Sequence, residues 1–112
     1  MPADLMQQLD EVLEKRKLAS PADSYVASLY AKGLKSILAK VSEEYGEVVE
    51  AAHGDSDPDL IHEVADLWFH TLVLLHHRGL NAEDVTQELG QRFGISGHEE
   101  KASRGAPQPA GE

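Results

Sequence analysis

The stretch "VSEEYGEVVE", residues 41–50, sets Glu43, Glu44, Glu47 and Glu50 within eight positions of a segment whose apolar residues recur at helical spacing. Like charges three or four residues apart on a helix repel by a few tenths of a kcal/mol per pair, so such a cluster calls for a cation. At about 100° per residue, Glu44 and Glu47 fall roughly 60° apart, with Glu43 on the far side of Glu47. Downstream, "EVAD" sets Glu63 and Asp66 at the same spacing, and His70 lies between them in angle one turn further along. A short loop joins the two helical segments, which makes them antiparallel neighbours. Glu47 lies nine residues before Ser56 at the loop centre and Glu63 seven after it, so the two acidic pairs face each other at similar height. Magnesium takes hard oxygen ligands and keeps part of its octahedron for water and phosphate, which suits carboxylates paired in this way. An acidic helix face is ordinarily a solvated one. Glu63 and Asp66, however, sit among apolar neighbours, where acids rarely go unless paired or bound to metal. The two pairs together favour a metal site.

The whole chain is as acidic as this stretch. Its 112 residues carry a formal net charge of −10, which repels nucleic acid and anionic membrane surfaces and excludes both as nonspecific partners. An anionic ligand would need a cation to mediate its approach. The chain has no cysteine, so disulfides, thiolate metal sites and a cysteine nucleophile are excluded. No segment approaches the roughly 20 apolar residues of a membrane span, and the N-terminal residues lack an apolar secretory core. The expected location is cytoplasmic.

The elements that must hold these acids are helices. Apolar residues at helical spacing predict a first helix from Leu5 to Leu18. Ser20 as N-cap and Pro21 at the first helical position predict a second helix from Pro21 to His53, bent near Gly33. Its stripe is Leu34, Ile37, Leu38, Val41, Tyr45, Val48 and Ala52. Asp57 as cap and Pro58 open a third helix that runs to Arg78 and closes at Gly79. Asn81 caps a fourth, "AEDVTQELGQRF", with Asp84 placed for a capping box. The expected organisation is one domain over residues 1–93 and a flexible C-terminal tail over 94–112, where Gly, Pro and charge replace the apolar period. In the third helix Leu60, Val64, Leu67, Trp68, Leu72 and Leu75 make one buried face, while Ile61, Phe69 and Val73 point elsewhere. A helix apolar on nearly all sides is buried on nearly all sides. A 112-residue chain is also small for burying a core alone. The expected fold is therefore all-α, an antiparallel helical hairpin completed into a bundle by homodimerisation.

The acidic motifs, "EEYGE" at Glu43–Glu47 and "EVAD" at Glu63–Asp66, resemble the signature of the all-α nucleoside-triphosphate pyrophosphatases. The stretches "DSYVASLYAKGLKSILAKVSEEYGEVVEAA", "ADLWFHTLVLL" and "RFGISGHEEKASR" resemble the phosphoribosyl-ATP pyrophosphatase family, over roughly Asp4 to Arg104. Two departures are Ser42, where that family commonly has glycine, and His98, where it commonly has an aliphatic residue. The resemblance implies Mg²⁺-dependent hydrolysis of the α–β phosphoanhydride of phosphoribosyl-ATP, the second step of histidine biosynthesis. It implies Glu44, Glu47, Glu63 and Asp66 as metal ligands, with Glu43 or Glu47 orienting or deprotonating the attacking water. Lys40 is the natural cation for a phosphate oxygen or, equally, a helical ion-pair partner of Glu44. Lys32, Lys35, Lys101 and Arg104 are further phosphate-binding candidates, the last two from a tail that would order over bound substrate. Ser24 and Tyr25 match the family's "SY" as substrate-binding residues, although Ser24 also suits a helix start. Association with the next enzyme of the pathway is a further expectation, since the two are fused in many organisms.

Other chemistries fit less well. His70 is either a partner to a metal-ligating Asp66 or a packing histidine. His76 and His77 fall in a last helical turn, where positive charge is favoured. "EAAH" and "DLIH" imitate di-iron motifs but lie beside the interhelical loop. "DSDPDLIHEVAD" imitates a calcium loop but has Leu60 where glycine is required and ends on Asp66 instead of glutamate. The alternative function from a different class is a non-catalytic acidic helical dimer that serves as an interaction module.

Overall fold

The computed structural model describes residues 5–93. Its elements are α1 (Leu5–Lys15), a 3₁₀ turn (Arg16–Leu18), α2 (Tyr25–Lys32), α3 (Leu34–Ala52), α4 (Asp57–His77) and α5 (Ala82–Phe93), and no strand occurs among the described residues. One compact unit ends at Asn81, and α5 belongs to a second unit that begins at Ala82. The all-α expectation holds. The expected tail over 94–112 lies outside the described residues.

The first helix ends at Lys15, and the expected stretch to Leu18 is the 3₁₀ turn; three further boundaries differ from the expected ones, each because a side chain or a glycine decides the end. The long second helix is two helices. Gly33 adopts φ 96° and ψ −175°, a region essentially confined to glycine. Its N–H donates to the Leu29 carbonyl and ends α2, while its carbonyl accepts from Ser36 and Ile37 and starts α3. The start also moves. Ser20 and Pro21 lie outside the helix, and Ser24 caps α2 by accepting from the Ala27 N–H at 3.1 Å. Ser56, not Asp57, caps α4, accepting from the Asp59 N–H at 3.2 Å and leaving Asp57 and Pro58 in the first turn. At the other end of α4 the expected glycine stop is present. Gly79 has φ 82°, with Leu80 N–H donating to the Leu75 carbonyl and Gly79 N–H to His76, the Schellman pattern.

In the first unit, α3 and α4 pack along one another as the central antiparallel hairpin, with α2 laid against both and α1 against α4. Ile37 from α3, Val73 from α4 and Leu13 from α1 are fully buried, and Val26, Ala27 and Leu29 of α2 complete the core. Two apolar stripes read differently than expected. On α3, Ile37 faces inward, while Leu34, Leu38, Tyr45 and Val49 are exposed in the single chain. On α4, Val73 is in the core, and Trp68 is 58% exposed.

A polar clasp ties α1 to α4. His76, only 2% exposed, meets Asp10 Oδ1 through Nε2 at 2.8 Å and Glu14 Oε1 through Nδ1 at 2.9 Å. Both contacts are satisfied together by the imidazolium, which donates from both nitrogens. The His76 hydrogen bond, reinforced by Lys17, holds the Glu14 carboxyl below its ordinary range. Tyr30 adds a second link by donating its hydroxyl to the Leu13 carbonyl at 3.0 Å. Burial, with the Glu14 charge, pushes the Tyr30 phenol up to about 12, so it stays a donor.

His76→Ala should lower stability by roughly 2–4 kcal/mol, because it opens a cavity and removes a hydrogen-bond partner from each of two carboxylates. A fall in the urea midpoint measures this. The pH dependence follows the depressed Glu14 value. The Glu14 contribution is complete above the ordinary glutamate pKa of 4.5 and fades as pH falls through the lower folded-state value. The difference between wild type and His76→Ala should therefore shrink in acid.

Candidate active site

The α3–α4 hairpin brings the two acidic motifs together. One carboxylate oxygen from each of Glu44, Glu63 and Asp66 lies within 4.8 Å of the other two. Glu44 is 5% exposed. It sits two turns beyond Ile37 and one beyond Val41 on α3, so the helical phase that buries Ile37 buries Glu44 with it. Among the described residues, the buried side-chain oxygens with no hydrogen-bond partner are Glu44 Oε1 and Glu63 Oε1. A buried carboxylate oxygen without a donor is costly. The same two residues show the electrostatic consequence. Desolvation first, then the charges of Glu47 and Asp66, raises the Glu44 pKa, opposed by His70 and Lys40. Desolvation and the adjacent Glu47 carboxylate raise that of Glu63.

Three converging carboxylates, two of which carry a buried oxygen without a partner, form a donor set suited to a divalent cation of the magnesium kind. Glu47 is not in the trio. It lines an open cleft beside it with Glu50, Asp55, Asp59 and Glu63, and its charge acts on both Glu44 and Glu63. Asp66 is further engaged by His62 Nε2 at 3.5 Å from its Oδ2.

The remaining sequence candidates fall in several places. Lys40 Nζ donates to Glu43 Oε1 at 3.1 Å and stands 3.7 Å from Glu44 Oε2, so it bridges the two acids. The Glu43 hydrogen bond keeps the Lys40 pKa above its ordinary value against desolvation, helped by Tyr25, Glu43 and Glu44. Ser24 is buried, with its oxygen committed to the α2 cap. Tyr25 is half-exposed and bonded to His70. Lys32 and Lys35 are exposed on α2 and α3. Lys101 and Arg104 lie outside the described residues. Sequence reasoning placed His70 beside Asp66 but missed its contact with Tyr25, because 45 residues separate the two and no local pattern connects them.

Comparison with known proteins agrees with this geometry. The family model described as phosphoribosyl-ATP pyrophosphohydrolase matches residues 6–93, which hold both acidic motifs. The chain belongs to the phosphoribosyl-ATP pyrophosphohydrolase family. It is thus an enzyme of the pyrophosphohydrolase type. It is 56% identical over 108 residues to the phosphoribosyl-ATP pyrophosphatase of Hydrogenovibrio crunogenus, covering 93% of this chain and 96% of that protein. It is 54% identical over 101 residues to that of Methylococcus capsulatus, covering 90% of this chain and 96% of the relative. The protein of the same name from Ruthia magnifica is 50% identical, again over 101 residues, 90% of this chain and 96% of its own.

In metal-free protein, Glu44→Gln should raise the melting temperature or leave it unchanged. The amide removes a repelled charge and can donate to a neighbouring carboxylate. The sign follows from the raised Glu44 pKa. The folded state holds its proton to higher pH than the unfolded chain, so ionisation withdraws stability as pH rises above the ordinary value of 4.5. The gain from the substitution should appear above that pH and vanish below it. A clear loss of metal-free stability at neutral pH would instead make Glu44 a structural ion-pair partner.

Proposed function

We propose that this chain hydrolyses the α–β phosphoanhydride of phosphoribosyl-ATP with Mg²⁺, giving phosphoribosyl-AMP and pyrophosphate in the second step of histidine biosynthesis. The convergence of Glu44, Glu63 and Asp66, two of which carry a buried oxygen without a partner, carries this reading, and the names of the family and its relatives supply the substrate. These three residues would hold the metal, whose charge would draw a triphosphate to a chain of net −10 and offset charge developing at the scissile bridge. Glu47 lines the cleft beside the trio and is placed to orient the attacking water and take its proton. Glu43 is less suited to that role, because Lys40 occupies one of its oxygens. Lys40, kept charged by that same contact, stands 3.7 Å from Glu44 Oε2 and would meet a phosphate oxygen.

The enzyme would act as a homodimer in the cytoplasm. Support for the dimer lies in exposed apolar side chains on both central helices: Tyr45 at 61%, Ile61 at 68% and Trp68 at 58%. Residues 38, 45 and 49 form one helical stripe and residues 61 and 68 another, as a bundle between two copies requires. No helix among the described residues is long and apolar enough to cross a membrane, so a lipid partner for these stripes has no support. Association with the next pathway enzyme, which takes phosphoribosyl-AMP, belongs to the same proposal.

Purified protein should release pyrophosphate from phosphoribosyl-ATP with Mg²⁺ and not after chelation. Failure to do so sinks the reading. Glu47→Gln should lower kcat by roughly 10²-fold or more, whereas Glu43→Gln should change it by much less. Sedimentation at micromolar concentration should give about 24 kDa, twice the chain's 12.2 kDa. A fully active monomer would defeat the dimer alone.

A further inference from the structure

Lys40 meets two acids of different kinds. Its Nζ donates to Glu43 Oε1 at 3.1 Å and lies 3.7 Å from Glu44 Oε2. Glu43 is exposed and Glu44 is buried. The first contact is thus an ordinary solvated pair, one helical turn apart. The second brings a fixed positive charge to the edge of the acidic trio. The two Glu44 oxygens differ accordingly: Oε2 has the ammonium near it, and Oε1 is buried with no hydrogen-bond partner. Lys40 offsets part of the repulsion that Glu47 and Asp66 exert on Glu44.

A lysine ammonium stays charged throughout the neutral range, and it has no lone pair to offer a metal. A divalent ion bonded to Glu44 would therefore face a like charge within roughly 8 Å, about one Debye length at physiological salt. Charges partly withdrawn from water are screened less than that length implies. Lys40 and a bare ion at the trio are antagonists. An anion that both of them can bind removes the antagonism. A magnesium-type ion keeps coordination positions for phosphate oxygens, and a phosphate held there carries further oxygens for the ammonium beside Glu44. The repulsion that opposes the ion alone becomes an added attraction once the phosphates arrive with it.

We propose that Lys40 makes the site selective for a metal–nucleotide complex over the bare metal ion. It weakens the hold on the ion alone and strengthens the hold on the ion with its phosphates. The inference rests on the reading of the acidic trio as a metal site for a nucleotide, and it adds the form in which that site takes its substrate. Lys40 acts on two binding events with opposite sign. A simple helical ion pair acts on neither, and a plain phosphate contact acts on the second alone.

The test compares the wild type with Lys40→Met, a replacement of similar length without the charge. Mn²⁺ binding to substrate-free protein is read by electron paramagnetic resonance in mildly alkaline buffer, well above the ordinary carboxylate range. Lys40→Met should bind Mn²⁺ about tenfold more tightly, a coupling of ordinary size between neighbouring sites. At saturating Mg²⁺ the same variant should show a KM for phosphoribosyl-ATP raised about tenfold, the worth of one charge-assisted contact. Lys40→Arg keeps the charge and should hold Mn²⁺ within about twofold of the wild type. Lys17→Met removes the same charge at the α1 clasp and should leave Mn²⁺ affinity unchanged. Unchanged or weaker Mn²⁺ binding in Lys40→Met, an unchanged KM, or an equal gain in Lys17→Met would each overturn the proposal, the last by assigning the effect to net charge. Absence of Mn²⁺ binding in both the wild type and Lys40→Met defeats the metal reading of the trio and this inference with it. Absence of turnover by the wild type likewise refutes the enzymatic reading together with its nucleotide complex, whereas normal turnover with the wrong signs refutes this inference alone.

Discussion

Glu44 is a carboxylate buried among carboxylates, and the first helical unit is organised around that unfavourable placement. Desolvation and the nearby acids both act against its charge, and its Oε1 has no hydrogen-bond partner. A protein interior tolerates such a group only where the surrounding structure is stable enough to impose it. Here the imposition comes from α3, in which the stripe that buries Ile37 carries Glu44 inward at the same helical phase. A cation between Glu44, Glu63 and Asp66 would convert three mutually repelling groups into a single favourable cluster. The arrangement that is unfavourable in the free protein would thus be the one that a cation stabilises.

The other contacts of the unit make that imposition possible. Gly33 breaks the chain so that α2 can lie against both central helices, which one continuous helix could not do. The His76 clasp and the Tyr30 hydroxyl anchor α1 from two sides. Both are polar contacts made at the edge of a small core, where apolar area alone is limited. His76 lies ten residues beyond Asp66 on α4, so the charged groups of the clasp and those of the acidic trio are kept apart on one helix.

The histidines show how one residue type takes different roles by position. His76 faces two carboxylates and uses both nitrogens as donors. His70 faces a carbonyl on one side and a phenol on the other, and its two nitrogens link α4's own main chain to Tyr25. His62, exposed on the first half of α4, stands near a carboxylate of the site without being enclosed by it. None of the three belongs to the acidic trio, whose converging atoms are all carboxylate oxygens.

Much of this was legible in the sequence because it rests on local periodicity. The spacing of Glu44 with Glu47 and of Glu63 with Asp66, the helical character of each segment and the glycine stop at Gly79 all follow from geometry within a few residues. Boundaries were less legible. Ser20, Ser24, Asp57 and Ser56 are all competent caps, and only the docking of α2 and the turn before α4 decide which hydroxyl meets a free N–H. Which of four acids converge was not legible either: Glu47 shares the helical side of Glu44, yet the trio is Glu44, Glu63 and Asp66, because facing helices set distances that periodicity leaves open. The inward turn of Val73 and the outward turn of Trp68 depend likewise on where α1 and α2 cover α4. The Tyr25–His70 contact depends on it most of all. Sequence by itself determined the helices and the acids they carry, since both are properties of neighbouring residues. Tertiary structure alone decided which side chains meet across them, since a hydrogen bond between residues 45 positions apart exists only once the helices have packed.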